Sequence, residues 1–267
     1  MERLDIFLVR RGLVKSRIRS KELIITSGVK VNDKVIIKPS YKVSESDDVK
    51  IISKQLEYVG RGGLKLGKAI IEFNISLDNK VCVDLGASTG GFTDYMLKNG
   101  AAKVFAVDVG HGQLDSSLVN NKKVVNLEGI NVKVFGIDHI HEKVDFVSAD
   151  LSFISIKSAL PAIKQVLNNN QFAVILIKPQ FEVGKNRIGK GGIVKDKKAH
   201  ISMLMELLVH IESVGFKIEN LTSSPITGGD GNIEYLCCIR NCQSNNNSFL
   251  FNNDIKAFVE NTFETMK

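Results

Sequence analysis

The residues of this chain best suited to chemistry stand where aliphatic runs give way to loops. Asp84 lies near the end of the run 80–85 and is followed by Gly86-Ala87-Ser88-Thr89-Gly90-Gly91, ahead of a helical pattern that starts near Phe92. Small residues let the backbone turn sharply against a ligand, and the helix start behind them offers free N–H groups. The dinucleotide fingerprint is not met, because the glycine it needs two residues after Gly86 is missing. Asp108 closes the next aliphatic run, 24 positions after Asp84, where a carboxylate can accept hydrogen bonds from ribose hydroxyls. Two further runs end at Asp150 and Lys178, and Glu234 opens the segment leading to the last one. A lysine flanked by two carboxylates can be tuned to take the proton of a weakly acidic hydroxyl, or to stabilise the oxygen left behind.

Those side chains meet only if the strands that carry them lie side by side. From about residue 80 the chain alternates aliphatic runs with helical stretches, which predicts an α/β domain built on a mostly parallel sheet. Seven strands are expected, at 80–85, 103–108, 124–127, 144–149, 172–177, 217–221 and 235–239, with helices at 92–98, 156–167 and 200–214. Their C-terminal ends and late loops converge on one crevice. Residues 1–59 read as a small α+β domain. Leu4, Phe7 and Leu8 mark a first helix stopped by Gly12, and Ser16 caps a second whose buried face is Leu23 and Ile24 and whose stop is Gly28. Short strands follow at 29–31, 35–37 and 49–52, the first two joined by the turn Asn32-Asp33. Residues 60–79 form an interdomain linker and leading helix, 80–240 the main domain, and 241–267 an Asn/Ser-rich linker with a terminal helix striped by Ile255, Phe258, Val259 and Phe263.

Composition removes several function classes. The longest apolar runs fall far short of the roughly 20 residues that span a bilayer, and the start Met-Glu-Arg-Leu-Asp has no apolar signal core, so no membrane association and a cytoplasmic location are expected. Cys82, Cys237 and Cys238 sit in aliphatic runs and suit reduced core thiols. Cys242 has no matching Cys or His pair elsewhere, and no metal site is expected. His111 and His141 are assigned no role. The net charge of +7 is unevenly placed: residues 1–72 hold 16 Lys and Arg against 9 Asp and Glu, whereas the rest hold 20 of each. The excess predicts a polyanion met by the first domain, with Arg3, Arg10, Arg11, Lys15, Arg17 and Lys21 as candidate contacts to it.

Several motifs carry a resemblance. Leu4-Asp5, Ser16-Arg17, Gly28-Val29-Lys30-Val31-Asn32 and Lys38-Pro39-Ser40 follow the order of the S4 RNA-binding domain, which the first domain resembles. The loop after Asp84 resembles that of S-adenosylmethionine enzymes, and the strand layout that of class I, Rossmann-like methyltransferases. Asp150-Leu151-Ser152-Phe153 stands where enzymes that methylate amino groups place Asn/Asp-Pro-Pro-aromatic, which argues against nitrogen as the acceptor. With Gly60-Arg61-Gly62-Gly63-Leu64-Lys65-Leu66, Asp108-Val109-Gly110-His111-Gly112-Gln113-Leu114, the stretch from Lys178 to Gly184 and that from Gly231 to Tyr235, the chain resembles the TlyA family. Its members join an S4 domain to an FtsJ-like methyltransferase and are also called haemolysins.

That resemblance implies a Lys-Asp-Lys-Glu tetrad on Lys65, Asp150, Lys178 and Glu234. It implies S-adenosylmethionine held around Asp84, Gly86, Ser88, Thr89, Gly90, Asp108 and Val109, and cytidine 2′-O-methylation of ribosomal RNA, met as RNA or within ribosomal subunits. Two rivals are a catalytically silent S4-type assembly factor and a membrane-damaging cytolysin. Intact Gly86, Asp108, Lys178 and Glu234 weigh against the first. The lack of a signal, a span or a repeated amphipathic pattern weighs against the second. A tryptophan that some members carry in the interdomain linker has no counterpart, since the chain contains no Trp.

Overall fold

Leu4, Phe7 and Leu8 recur at helical spacing, are almost fully buried, and seed the core of the first unit with Ile24, Val29, Val31 and Val43. The computed structural model describes residues 1–14, 16–51, 58–242, 249 and 254–266, and separates into two units, Met1–Gly63 and Leu64–Lys267. The first unit contains β1 (Glu2–Arg3), α1 (Leu4–Arg10), α2 (Arg17–Ser27), β2 (Val29–Val31), β3 (Lys34–Ile36), β4 (Lys42–Val43) and β5 (Val49–Ile51). β2 lies between β3 and β5, antiparallel to both, and β1 pairs with β4. Asn32 and Asp33 both take positive φ, 47° and 67°, in the two-residue turn that pairs Val31 with Lys34. β3 therefore begins one residue earlier than its aliphatic run.

In the second unit the chain passes through α3 (Gly62–Glu72), β6 (Val81–Leu85), α4 (Gly91–Lys98), β7 (Lys103–Asp108), α5 (Ser116–Val119), β8 (Val124–Glu128), α6 (Ile137–Ile140) and β9 (Val144–Ala149). It continues through α7 (Leu160–Val166), β10 (Leu167–Ile177), α8 (Pro179–Glu182), α9 (Lys197–Ser213), β11 (Lys217–Ser223), β12 (Tyr235–Arg240) and α10 (Ile255–Thr265). The seven strands lie in the order β11-β12-β10-β9-β6-β7-β8. β12 is antiparallel to both neighbours, and every other pairing is parallel. The chain runs outward from β6 through β7 to β8, then returns to place β9 on the other side of β6. This reversal opens a crevice beyond the C-terminal strand ends, where doubly wound sheets bind ligands.

Three boundaries differ from the sequence expectation for identifiable reasons. The helix expected over 156–167 breaks into a 3₁₀ turn, Ile156–Ala159, and α7, because Pro161 in the first turn of α7 has no N–H to continue a preceding helix. Its expected last residue, Leu167, instead pairs with Val144 as the start of β10. α9 starts at Lys197, ahead of the expected His200, because the Asp196 carboxylate accepts the Lys198 N–H at 3.0 Å as an N-cap. The terminal stripe packs inward: Ile255 and Val259 join the main core, and Phe263 meets His200 edge to face at 4.9 Å between ring centres. Residues 243–248 of the expected linker lie outside the described residues.

Candidate active site

Gly86 decides how closely the loop after β6 can approach the loop after β9. Its φ is 81°, and a Cβ there would run into the Asp150 carbonyl oxygen. The Asp150 N–H in turn donates to Leu85 O at 2.9 Å. Asp108, at the end of β7, accepts the Ser88 N–H at 2.8 Å and the Gly110 N–H at 2.7 Å, one on each carboxylate oxygen. Both loops are thereby folded around one carboxylate, whose remaining lone pairs are available to a ligand. Between them lies a cleft of about 360 Å³, at the lower end of the roughly 300–1,000 Å³ typical of small-molecule sites. Val107, Ile130, Val132 and Leu151 give it apolar walls suited to a flat base, and Asp108 supplies the polar anchor.

The seven residues expected to hold the cofactor separate into two groups. Gly86, Ser88, Asp108 and Val109 line the cleft; Asp84, Thr89 and Gly90 support it from behind. Asp84 is fully buried beneath the loop, where it accepts from Thr93 Oγ1 at 2.7 Å and Ser148 Oγ at 3.1 Å, and burial pushes its carboxyl up to about 7. Gly90 caps α4 in the left-handed region, and the Thr89 carbonyl accepts from Asp115 N at 3.2 Å.

The four expected catalytic side chains form two lysine–carboxylate pairs. Lys178 Nζ lies 2.5 Å from Asp150 Oδ1 and donates to Ser152 Oγ at 3.0 Å. Lys65, from the first turns of α3 and only 8% exposed, lies 2.6 Å from Glu234 Oε2, and Glu234 is 2% exposed. Glu234 thus partners Lys65, whereas the sequence reading set it beside Lys178. The reason is tertiary: α3 brings Lys65 against the segment entering β12, and Gly228 leaves room there, since a Cβ on it would sit 2.5 Å from Glu234 Oε1. Lys68, one turn further along α3, is held by the Ser223 carbonyl at 2.8 Å. Burial opposes ionisation of Asp150, but the Lys178 and Lys65 ammoniums and the Lys178 hydrogen bond outweigh it and keep the carboxyl below its ordinary range. Both lysines therefore act on one carboxylate at the edge of the cleft.

Other side chains at this site were not assigned a role from sequence. Phe153 stands at the cleft 89% exposed with φ of 67°, its ring 5.5 Å from that of Phe181. A left-handed backbone at an exposed aromatic residue is a costly arrangement. Glu182 in α8 accepts from Ser155 Oγ at 2.6 Å and from Ile156 N at 2.7 Å, fastening the loop that carries Asp150 to the one that carries Lys178. Phe153 lies inside a motif the sequence reading quoted, but its backbone angle has no sequence signature. Among the described residues no group of three or more His, Cys, Asp or Glu is placed to hold a metal ion.

In the small unit, the expected RNA-contact arginines are partly engaged with one another's acids. Arg3 and Arg17 both pair with Asp5, which is fully buried, at 2.9 and 3.2 Å. Arg10 pairs with Glu2 at 2.5 Å and also with Glu45, and Arg11 with Glu45 at 2.7 Å. All four keep a third or more of their side-chain surface in solvent, and Lys21 is exposed. Lys15 lies outside the described residues.

The fold and the cleft together define an α/β enzyme of the Rossmann-like methyltransferase class. Comparison with known proteins agrees: the sequence matches the FtsJ-like methyltransferase family over residues 58–241 and the S4 domain over residues 2–49. It is 42% identical to Hemolysin A of Brachyspira hyodysenteriae over 88% of this chain and 98% of that one. It is 39% identical to the 16S/23S rRNA (cytidine-2′-O)-methyltransferase TlyA of Mycobacterium tuberculosis, over 89% of each. A solved structure described as a hemolysin from Streptococcus thermophilus superposes with a TM-score of 0.79 at 37% identity, covering 98% of this chain and 96% of that one. The chain belongs to the FtsJ-like methyltransferase family, in the group that carries an amino-terminal S4 domain and includes TlyA.

Proposed function

We propose that the protein transfers a methyl group from S-adenosylmethionine to the 2′-hydroxyl of a cytidine in ribosomal RNA. The observation that carries this reading is the pair of lysine–carboxylate contacts, Lys178–Asp150 and Lys65–Glu234, beside a cleft whose polar anchor is Asp108. S-adenosylmethionine supplies an electrophilic methyl group, so the chain's own work is to place and activate the acceptor oxygen. Asp108 takes the ribose hydroxyls of the cofactor, and the apolar walls take its base. Lys178 faces the acceptor, held by Asp150 and Ser152; its amine takes the 2′-hydroxyl proton as the oxygen receives the methyl group, and the ammonium so formed rests on Asp150. Lys65, buried against Glu234, fixes the field in which Lys178 works. The exposed Phe153 ring offers a face on which an unstacked target base can rest. The S4 unit supplies RNA affinity, and the enzyme acts in the cytoplasm on rRNA or on ribosomal subunits. The hemolysin names of some relatives find no counterpart in a membrane-crossing helix: none among the described residues is long and apolar enough.

Two measurements test the ligand assignments. Asp108→Ala removes a charged acceptor of about 1.5–3 kcal/mol per hydrogen bond, so calorimetry is expected to show at least tenfold weaker S-adenosylmethionine binding. Tight NAD binding by the wild-type protein, with no response to S-adenosylmethionine, overturns the cofactor reading. For the RNA, Lys21→Glu is the cleaner probe, because Arg17→Glu would also set a like charge beside buried Asp5. The Lys21 variant is expected to bind rRNA more weakly, with the log–log salt slope reduced by about 0.7–0.9, while cofactor binding persists. Incubating rRNA or subunits with labelled cofactor and mapping the product by mass identifies the modified nucleotide. Methyl recovered on a base nitrogen would refute 2′-O transfer.

A further inference from the structure

The balanced charge of the larger unit conceals a local excess. Residues 185–198 hold six basic side chains, Lys185, Arg187, Lys190, Lys195, Lys197 and Lys198, against Asp196 alone, whose carboxylate caps α9. Arg187, Lys190, Lys195 and Lys198 are exposed, and among the described residues neither Lys190 nor Lys195 has an ion-pair partner.

The segment is seated by buried polar side chains. Asn232, fully buried, accepts the Val194 N–H at 2.9 Å and donates to Gly192 O at 2.9 Å. His200, also fully buried, lies 3.0 Å from Val194 O through Nε2 and 2.7 Å from the Tyr235 hydroxyl through Nδ1. A carbonyl can only accept, so Nε2 carries the proton and Nδ1 accepts from Tyr235. Burial disfavours the charged imidazole, which keeps this arrangement. The strap begins seven residues after Lys178, and the Asn232 that holds it stands two residues before Glu234. Asn232 thereby ties the strap to the segment that carries Glu234.

We propose that this strap is a second RNA-binding element, whose exposed lysines grip the phosphates flanking the target nucleotide while the S4 unit holds RNA elsewhere. Unpaired surface ammoniums repel one another unless a polyanion is present, and buried Asn232 and His200 give the loop a defined shape next to the segment that carries Glu234. The inference rests on the RNA reading of the site.

The test uses the full chain. Affinity for a protein-free rRNA transcript is measured across a salt series, together with kcat and KM for rRNA methylation. Lys190→Glu/Lys195→Glu is compared with Lys122→Glu/Lys256→Glu, which makes the same change in net charge at exposed positions elsewhere on the same unit. For the strap pair the salt slope is expected to fall by about 1.4, and affinity near 0.15 M salt by about tenfold. KM for RNA should rise in step, with S-adenosylmethionine affinity and melting temperature unchanged. Lys190→Gln/Lys195→Gln, which removes contacts without adding repulsion, should lose the same slope. If the strap and control pairs behave alike, or if both strap pairs keep the wild-type slope and KM, the proposal is wrong. A wild-type protein that fails to methylate any rRNA defeats the proposed function itself, a distinct outcome.

Discussion

A Lys178→Ala enzyme is expected to methylate rRNA at least a hundredfold, and up to about ten-thousandfold, more slowly in single turnover, the range by which positioned proton transfer accelerates reactions. Lys178 follows β10 with its Nζ on Asp150 and Ser152, so on the proposed mechanism its loss removes the amine that receives the 2′-hydroxyl proton. Lys178 does not itself line the Gly86–Asp108 cleft, and cofactor and RNA affinities should stay close to wild type. Lys178→Arg should also fail, because a guanidinium keeps the charge beside Asp150 but cannot take a proton. An arginine variant with near wild-type turnover would show that fixed positive charge, not proton transfer, is what position 178 contributes. An alanine variant that folds, binds both ligands and methylates at the wild-type rate would remove Lys178 from the mechanism.

Glu234→Ala is expected to be the most destabilising of the site substitutions. Lys65 and Glu234 are both nearly withdrawn from water, and removing one partner of such a pair leaves the other charge buried and uncompensated. The usual cost is about 3–5 kcal/mol, which in a unit of this size lowers the melting temperature on the order of ten degrees. Replacing both partners by apolar residues, Lys65→Met with Glu234→Leu, should recover most of that stability. It should not recover methyl transfer. Calorimetric melting read beside single-turnover rates separates the two roles: if the double variant regains both stability and activity, the pair is only structural.

Much of this fold was legible because its signals are local and periodic. Aliphatic runs ending in Asp84, Asp108, Asp150 and Lys178 gave strands within a few residues of those observed, since a strand buried on both faces needs an unbroken apolar run. Turn and cap residues such as Asn32-Asp33 and Gly28 marked the small unit in the same way. Pro161 was equally visible, but its consequence depends on the path of the chain before it, and the expected helix there was drawn too long.

Sequence by itself determined which residue types stand at strand ends and where net positive charge accumulates, because both follow from composition and spacing along one dimension. Tertiary structure alone decided the pairings. Glu234 joins Lys65 across 169 positions, and Asp108 folds two loops around itself through backbone N–H groups that any residue could supply. The exposure of Phe153 and the seating of the basic strap by Asn232 likewise depend on contacts between segments distant in the chain. Such contacts are selected by the shape of the packed core, and spacing within a single segment carries no record of them.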